Sequence, residues 1–277
     1  MSASPQLQAL RTLLDEQGFS RALPRQKRAY PPAPTGLADL DALLGGGLPR
    51  GEISEIVGPA SSGCTRLVLA VLAEATQAGE VAAYIDAMDC LDPRSAEQAG
   101  IALDRLLWVR CRERKSPGES DVGPAGRSGQ YMPQARHAVP LQNLHPNTMQ
   151  TGGTEQRYEP LVKQTRVDQT WQAMNLVASA GGFGVIVLDL GGLPRRKLRQ
   201  WQSYQWLRPR RAIEHSSTAL LVMAEEHLTA STSTLVLELA REKTHWSGTP
   251  GVSLLLGGIS TSIRVAQQRR KAIAVGA

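Results

Sequence analysis

Residues Gly58–Thr65 read GPASSGCT. The spacing is that of a phosphate-cradling loop, G-x-x-x-x-G-K-[ST], with Cys64 where the lysine belongs. In such a loop, backbone N–H groups and a helix N-terminus hold the phosphates. The lysine reaches the β- and γ-phosphates, and the Ser or Thr meets Mg²⁺. Gly58, Ser62, Gly63 and Thr65 keep the frame. Cys64 supplies no positive charge. A charge-assisted hydrogen bond is worth ~1.5–3 kcal/mol. Losing it weakens binding about ten- to a hundredfold. Two states are open to the thiol: reactive, because a helix N-terminus lowers its pKa, or buried and inert.

A second group of chemical interest is LPRRKLRQWQSYQWLRPRRA, Leu193–Ala212. Arg195, Arg196, Lys197, Arg199, Arg208, Arg210 and Arg211 are interleaved with Trp201, Tyr204 and Trp206. Arginines beside free aromatic rings suit phosphate contacts and base stacking. The same pattern also describes a solvated basic helix, Arg195–Ser216, with Leu198, Trp201 and Gln205 packed on a sheet. A third is Phe19 and Ala22, an F-x-x-A that follows the amphipathic stretch Leu7–Leu14.

The elements that position these groups follow from periodicity. Leu7, Leu10, Leu13 and Leu14 repeat at helical spacing, so residues 5–17 read as a short helix. Pro31, Pro32 and Pro34 keep the following linker extended. From Thr35 onward the chain alternates: EISEIVG strand, TRLVLAVLAEATQAG helix, EVAAYIDA strand, DPRSAEQAG helix, DRLLWVRC strand. That rhythm means a parallel sheet. Residues 112–166 break it with Pro, Gly, Ser, Gln and Asn, and read as a disordered surface insertion. Order resumes with the helix DQTWQAMNLVASAGG and the buried strand FGVIVLDL, which ends at Asp189. TALLVMAEE is a further buried strand. Residues 233–246 and 251–268 form a late antiparallel pair. Residues 266–277 read as a flexible basic tail.

The chain has 277 residues, 42% of them hydrophobic and 4% aromatic, enough for one large α/β domain or two small ones, with an aliphatic core. The net charge of +6 favours acidic partners, nucleic acid first, or marks a merely soluble basic protein. Cys64, Cys90 and Cys111 are scattered, without CxxC or histidines at ligand spacing. A zinc site and a disulfide framework are therefore not expected, and a reducing cytosol is. No run reaches the ~18 apolar residues that span a bilayer. Neither a signal peptide nor a membrane partner is expected.

The ordered series Thr35–Gly36, Leu40–Asp41, Gly45–Gly47, Pro49, Gly51 and the loop itself resembles the entry to the ATPase core of the RecA recombinase family. YIDAMDCLDP, Tyr84–Pro93, is similar to that family's second strand and turn, and VIVLDL to its Walker B strand. The resemblance covers Thr35–Cys111 and Asp168–Val265. It implies a RecA-like α/β core over 35–265, with residues 1–34 for docking or oligomerisation. It also implies ATP and Mg²⁺ as ligands, with Thr65 and Asp189 kept for the metal.

Three departures bear on activity. Cys64 replaces the lysine. Met88 stands where the family has its catalytic glutamate, and losing a general base removes roughly 10²–10⁴ in rate. Glu225 and Glu226 stand near the family's sensor glutamine, where acid repels a γ-phosphate. The expectation is a non-enzyme without a cofactor, its loop a structural relic; the opposing reading is a weak binder of ATP and Mg²⁺ without turnover. Among RecA relatives the chain looks most similar to the ImuA-type proteins of bacterial translesion-synthesis cassettes. That resemblance implies a cytoplasmic, nucleoid-associated accessory of the SOS response. Its implied partners are RecA, a Y-family polymerase homologue and a DnaE-type polymerase, with weak DNA contact. Two alternatives remain: a SulA-like cell-division inhibitor, and a DNA-dependent ATPase or recombinase paralogue.

Overall fold

The computed structural model describes residues 30–111, 139–140, 165–249 and 253–269. The N-terminal helix, Phe19, Ala22, most of 112–166 and the tail beyond Arg269 lie outside the described residues. One unit, Pro31–Gln268, holds every element named below.

Its elements alternate as the periodicity requires: α1 (Ala38–Leu44), β1 (Ile53–Val57), α2 (Cys64–Gln77), β2 (Ala82–Asp86), α3 (Pro93–Gln98) and β3 (Leu106–Arg110). After these come β4 (Val139–Pro140), α4 (Arg166–Ala180), β5 (Val185–Asp189), α5 (Arg195–Leu198), α6 (Leu207–Ile213), β6 (Ala219–Ala224), β7 (Leu235–Thr249) and β8 (Ser253–Gln268). They form one eight-stranded sheet in the order β4-β3-β2-β5-β6-β1-β7-β8. Every neighbouring pair is parallel except β7–β8, which is antiparallel. This is a RecA-like α/β core.

Alternation along the strands makes two apolar faces. Tyr84, Val187, Leu221 and Ile56 join Leu67, Val68, Val71 and Leu72 of α2 on one side. Ile85, Leu188, Val222 and Ile53 join Ala173, Met174 and Ile213 on the other. At the amino ends of the strands, Arg50 donates to the carbonyls of Pro31 (3.0 Å), Gly184 (3.1 Å) and Ser217 (2.7 Å). It also pairs with Glu80 at 2.6 Å. One guanidinium thus ties together the backbone that feeds β1, β5 and β6.

Three boundaries differ from the periodic reading. Val139–Pro140 pairs parallel with Val109–Arg110, so the 112–166 stretch contributes an edge strand. Helix α4 starts at Arg166, ahead of Asp168, because Thr165 caps it and Asp168 returns the bond to the Thr165 N–H at 3.0 Å. The basic segment is not one helix over 195–216. It is α5, a 3₁₀ turn at Ser203–Trp206, and α6. Pro209 in an unbroken helix would lose its bond to the Gln205 carbonyl and clash with it. Gln202 and Gln205 instead cap a new start, with Gln202 N–H donating to Gln205 Oε1 at 2.8 Å.

Candidate nucleotide-type site at the carboxyl ends of the strands

The loop leaves the end of β1 and turns into α2. Gly58 N–H donates to the Ala224 carbonyl at 3.2 Å, which fixes the start of the loop to the end of β6. A Cβ on Gly58 would lie 2.6 Å from the Leu239 carbonyl and 2.5 Å from Ser62 Oγ, so β7 passes directly against the loop. Gly63 has φ +98, and a Cβ there would lie 2.7 Å from Thr261 Oγ1 of β8. Pro59, Ala60, Ser61 and Thr65 are exposed, whereas Ser62 and Cys64 are buried. The loop keeps its turn, its helix start and the exposed Thr65 hydroxyl.

Cys64 does not reach toward the loop's mouth. Its Sγ lies 3.2 Å from Ser62 Oγ, and the residue packs into the apolar cluster under α2. Burial pushes its thiol pKa up, outweighing the bond from Ser62. Of the two states open from sequence, the geometry corresponds to the buried thiol.

Asp189 has both oxygens engaged. The Tyr84 hydroxyl donates to Oδ2, and Gly191 N–H donates to Oδ1 at 2.8 Å. Burial raises the Asp189 pKa to about 6 despite these bonds. Burial, followed by the neighbouring Asp189, pushes the Tyr84 hydroxyl well above its ordinary value, so it stays a donor.

Asp86, in register with Asp189 on β2, is fully buried. It is an internal cap for the turn, accepting from the N–H groups of Met88 (3.2 Å), Cys90 (3.1 Å) and Leu91 (2.9 Å). It also accepts from Trp108 Nε1 at 3.2 Å. Met88 presents a thioether that takes a bond from Arg166 at 3.4 Å. Asp89, at φ +59, turns away into a two-point pair with Arg110 at 2.5 and 3.0 Å. Arg110 in turn lies 4.4 Å from the centre of the Trp108 ring. The residue set around the turn therefore binds its own backbone and its own cations.

At the end of β6, Glu226 pairs with Arg195 at 2.5 Å and Glu225 with the same arginine at 3.7 Å. These three line a cleft of about 220 Å³ with Leu193, Arg199 and His227. Glu55 is buried in β1 and holds the loop after β6. It accepts from the N–H groups of Leu228 (2.6 Å) and Thr229 (3.2 Å) and from the Thr229 hydroxyl (2.9 Å). His227 stands 3.5 Å from Glu55 and 3.1 Å from Glu238, which also binds Arg264. The bonds from His227 and Arg264 hold the Glu238 carboxyl below its ordinary pKa.

The basic residues of the Leu193–Ala212 segment do not stand together. Arg195, Arg196, Lys197 and Arg199 follow β5 at the carboxyl end of the sheet. Arg210 lies 3.7 Å from Glu52, which precedes β1 at the amino end. A five-residue strand at about 3.3 Å per residue separates the two ends by roughly 17 Å. Trp201 and Trp206 are buried and pack with Trp171, with ring centres 4.9 to 5.9 Å apart. Trp206, not Gln205, takes the inward position, and Tyr204 is exposed. Among the described residues no group of His, Cys, Asp or Glu is placed to hold a metal. No helix there is long and apolar enough to cross a membrane.

Of the residues singled out from sequence, Gly58, Ser62, Gly63, Cys64 and Thr65 lie in one loop and helix start, and Asp189 lies near enough to Cys64 to act on its thiol. Sequence reasoning missed Tyr84, Thr261 and Glu55, whose contacts join residues far apart in the chain.

Residues 23–115 match the RecA N-terminal domain. Over 75 residues the chain is 57% identical to the RecA protein of Methylococcus capsulatus, covering 27% of this chain and 22% of that one. It is 55% identical to the RecA protein of Symbiobacterium thermophilum over 75 residues, 27% and 21% of the two chains. With the RecA protein of Marinobacter nauticus it shares 50% identity over 82 residues, 29% and 24%. The matched region spans about a fifth to a quarter of the length of these curated relatives. The family match, residues 23–115, includes β1, the loop, α2, β2 and β3, hence Cys64 and Met88. With the fold, these matches support a place in the RecA-like superfamily. Asp189 and the basic segment lie outside residues 23–115.

Proposed function

We propose that this chain is a RecA-like protein that has given up ATP turnover and works as an accessory in DNA-damage-induced translesion synthesis. In this reading it links RecA–DNA to an error-prone polymerase complex of Y-family and DnaE type. The observation that carries the loss of turnover is the engagement of Asp189 by Tyr84 and Gly191 beside a buried Cys64. The residues present do not fit a Mg·ATP hydrolysis site. No cationic side chain stands at position 64, the carboxylate left for a metal is already bonded on both oxygens, and a thioether stands at position 88.

The accessory role follows from the RecA resemblance combined with that loss. A RecA-like surface without turnover can still dock on a RecA-type protomer. Residues 5–22 would supply the docking segment, with Phe19 and Ala22 as its anchors. The test is co-sedimentation of the purified chain with RecA filaments on single-stranded DNA. Co-sedimentation that is lost in Phe19→Glu supports the reading. Absence of the chain from the filament pellet, with division arrest on overexpression, would move the assignment to the cell-division alternative.

A further inference from the structure

Strand β8 ends the sheet and pairs only with β7, on its inner side. Alternate residues along its outer side therefore direct N–H and C=O groups away from the sheet, a row of main-chain donors and acceptors open to another strand. β8 runs for 16 residues, Ser253–Gln268. Its register with β7 shifts at Gly257 and at Ala266, and between them Gly258–Val265 runs without an extra residue on β8. The opposite end of the sheet is β4, only 2 residues long.

Edge strands are ordinarily blunted by proline, by lysine, by inward-pointing charge or by being short. β8 has no proline, no lysine and no acidic residue, and its one charged residue is Arg264. Arg264 is committed to Glu238 of β7. Ile259, Ile263 and Val265 share one face by alternation, and each is only partly buried. Ile263 and Val265 pack on the apolar cluster under α2. Among the described residues no strand covers their outer flank.

Charge and length choose the occupant. Nucleic acid and strongly charged peptides are selected by free charge, and this edge offers only an arginine already paired with Glu238. A head-to-tail copy would have to present β4, whose two residues leave most of Gly258–Val265 uncovered. A second β8, running antiparallel, matches in length and in polarity. At every register except the one centred on Arg264 itself, that arginine meets an uncharged residue, so like charges are not opposed. A twofold axis perpendicular to the sheet makes this pairing and keeps the α2 side of both copies on one side. The half-buried isoleucines and valines of the two edges then share one face. We propose that β8 is a homodimer interface, through which two copies of this chain join edge to edge and antiparallel along Gly258–Val265. The contact is isologous and uses up both β8 edges, so it closes at two copies. It is independent of the loop, of Asp189 and of the docking assigned to residues 5–22.

Sedimentation equilibrium of the full-length 29.9 kDa chain over a range of concentrations tests it, because a pair forms by mass action. A concentration-dependent dimer is expected. Ile259→Lys places a charge on the edge, and the twofold counts it twice, so the dimer is expected to weaken roughly tenfold or more. Thr244→Lys places the same charge opposite Ile259 on β7, one strand inside the edge, and is expected to leave the dimer intact. Unchanged thermal melting is required of both variants. A readout on the wild type needs no variant to fold: hydrogen exchange, followed by mass spectrometry, is expected to slow in Gly258–Val265 as concentration rises. Four outcomes overturn the proposal: a monomer at every concentration; a dimer that Ile259→Lys leaves unmoved; equal weakening by both variants; or exchange in Gly258–Val265 that does not change with concentration. A dimer lost in Phe19→Glu but kept in Ile259→Lys would assign the contact to the N-terminal segment instead.

Discussion

The hydroxyl of Tyr84 donates to Oδ2 of Asp189 across two neighbouring strands, joining residues 105 positions apart in the chain. The bond lies on the face of the sheet that supports the loop, and it engages an oxygen of the carboxylate that the RecA resemblance assigns to a cation. We propose that this contact and the loss of the lysine act together to weaken Mg²⁺ binding.

A double-mutant cycle isolates that effect. Cys64→Lys restores a charge-assisted bond worth about ten- to a hundredfold in affinity. Its benefit is expected to be small while Tyr84 holds Asp189. Cys64→Lys/Tyr84→Phe is expected to bind a fluorescent ATP analogue more tightly in Mg²⁺ than in EDTA, by more than the product of the single changes. Equal Mg²⁺ dependence with and without Tyr84 would contradict the role given to that residue.

The pH dependence follows from Asp189. Its folded-state pKa of about 6 lies above the ordinary 3.8. Between those values the folded chain binds more protons than the unfolded one, so stability falls as pH rises. Above about 6 both states are ionised and the Asp189 contribution is flat. Urea unfolding of wild type and Asp189→Asn across pH 4 to 8 measures it. The wild-type stability relative to the variant is expected to fall as pH rises to about 6 and then level. A difference that is flat over this range would contradict the assignment.

Thiol labelling tests the placement of Cys64. Cys90 is exposed, while Cys64 and Cys111 are buried. Burial raises both buried thiols, Cys111 to about 11. Iodoacetamide on the native protein at neutral pH is expected to label Cys90 first, with Cys64 and Cys111 reacting only on denaturation. Mass spectrometry of the digest reads the order. Labelling of native Cys64 ahead of Cys90 would mean the thiol faces the loop's mouth.

The loop glycines are expected to matter for folding whether or not nucleotide binds. A Cβ at position 58 meets the Leu239 carbonyl at 2.6 Å, which is backbone and cannot swing aside. Gly58→Ala is expected to lose about 1–3 kcal/mol, the usual magnitude of overpacking. Thermal melting without nucleotide measures it, and an unchanged midpoint would contradict the packing described for β7.

Much of this was legible in the chain. The loop spacing, the missing lysine and the end of β5 at Asp189 are local patterns, and local patterns survive in sequence; Met88 stood out only through the resemblance to the RecA family. The alternation of strands and helices set the parallel sheet, and the late pair was visible as two long apolar runs. What stayed hidden was long-range. Nothing local to Tyr84 points to Asp189, and nothing local to Thr261 points to Gly63. The basic segment read as one helix because periodicity outweighed Pro209 and the Gln202–Gln205 cap. Its arginines then divided between the two ends of the sheet, a separation only the path of α6 determines.

The central claim is that the loop is scaffold and that the protein acts through partners. Titration of the purified chain with a fluorescent ATP analogue and Mg²⁺, with RecA as the positive control, tests it most directly. No saturable binding is expected up to about millimolar nucleotide, a bound near −4.1 kcal/mol. Saturable binding at micromolar concentration would contradict it. The backbone of the loop and Thr65 would then be holding nucleotide without the lysine, and the ATPase alternative would stand open.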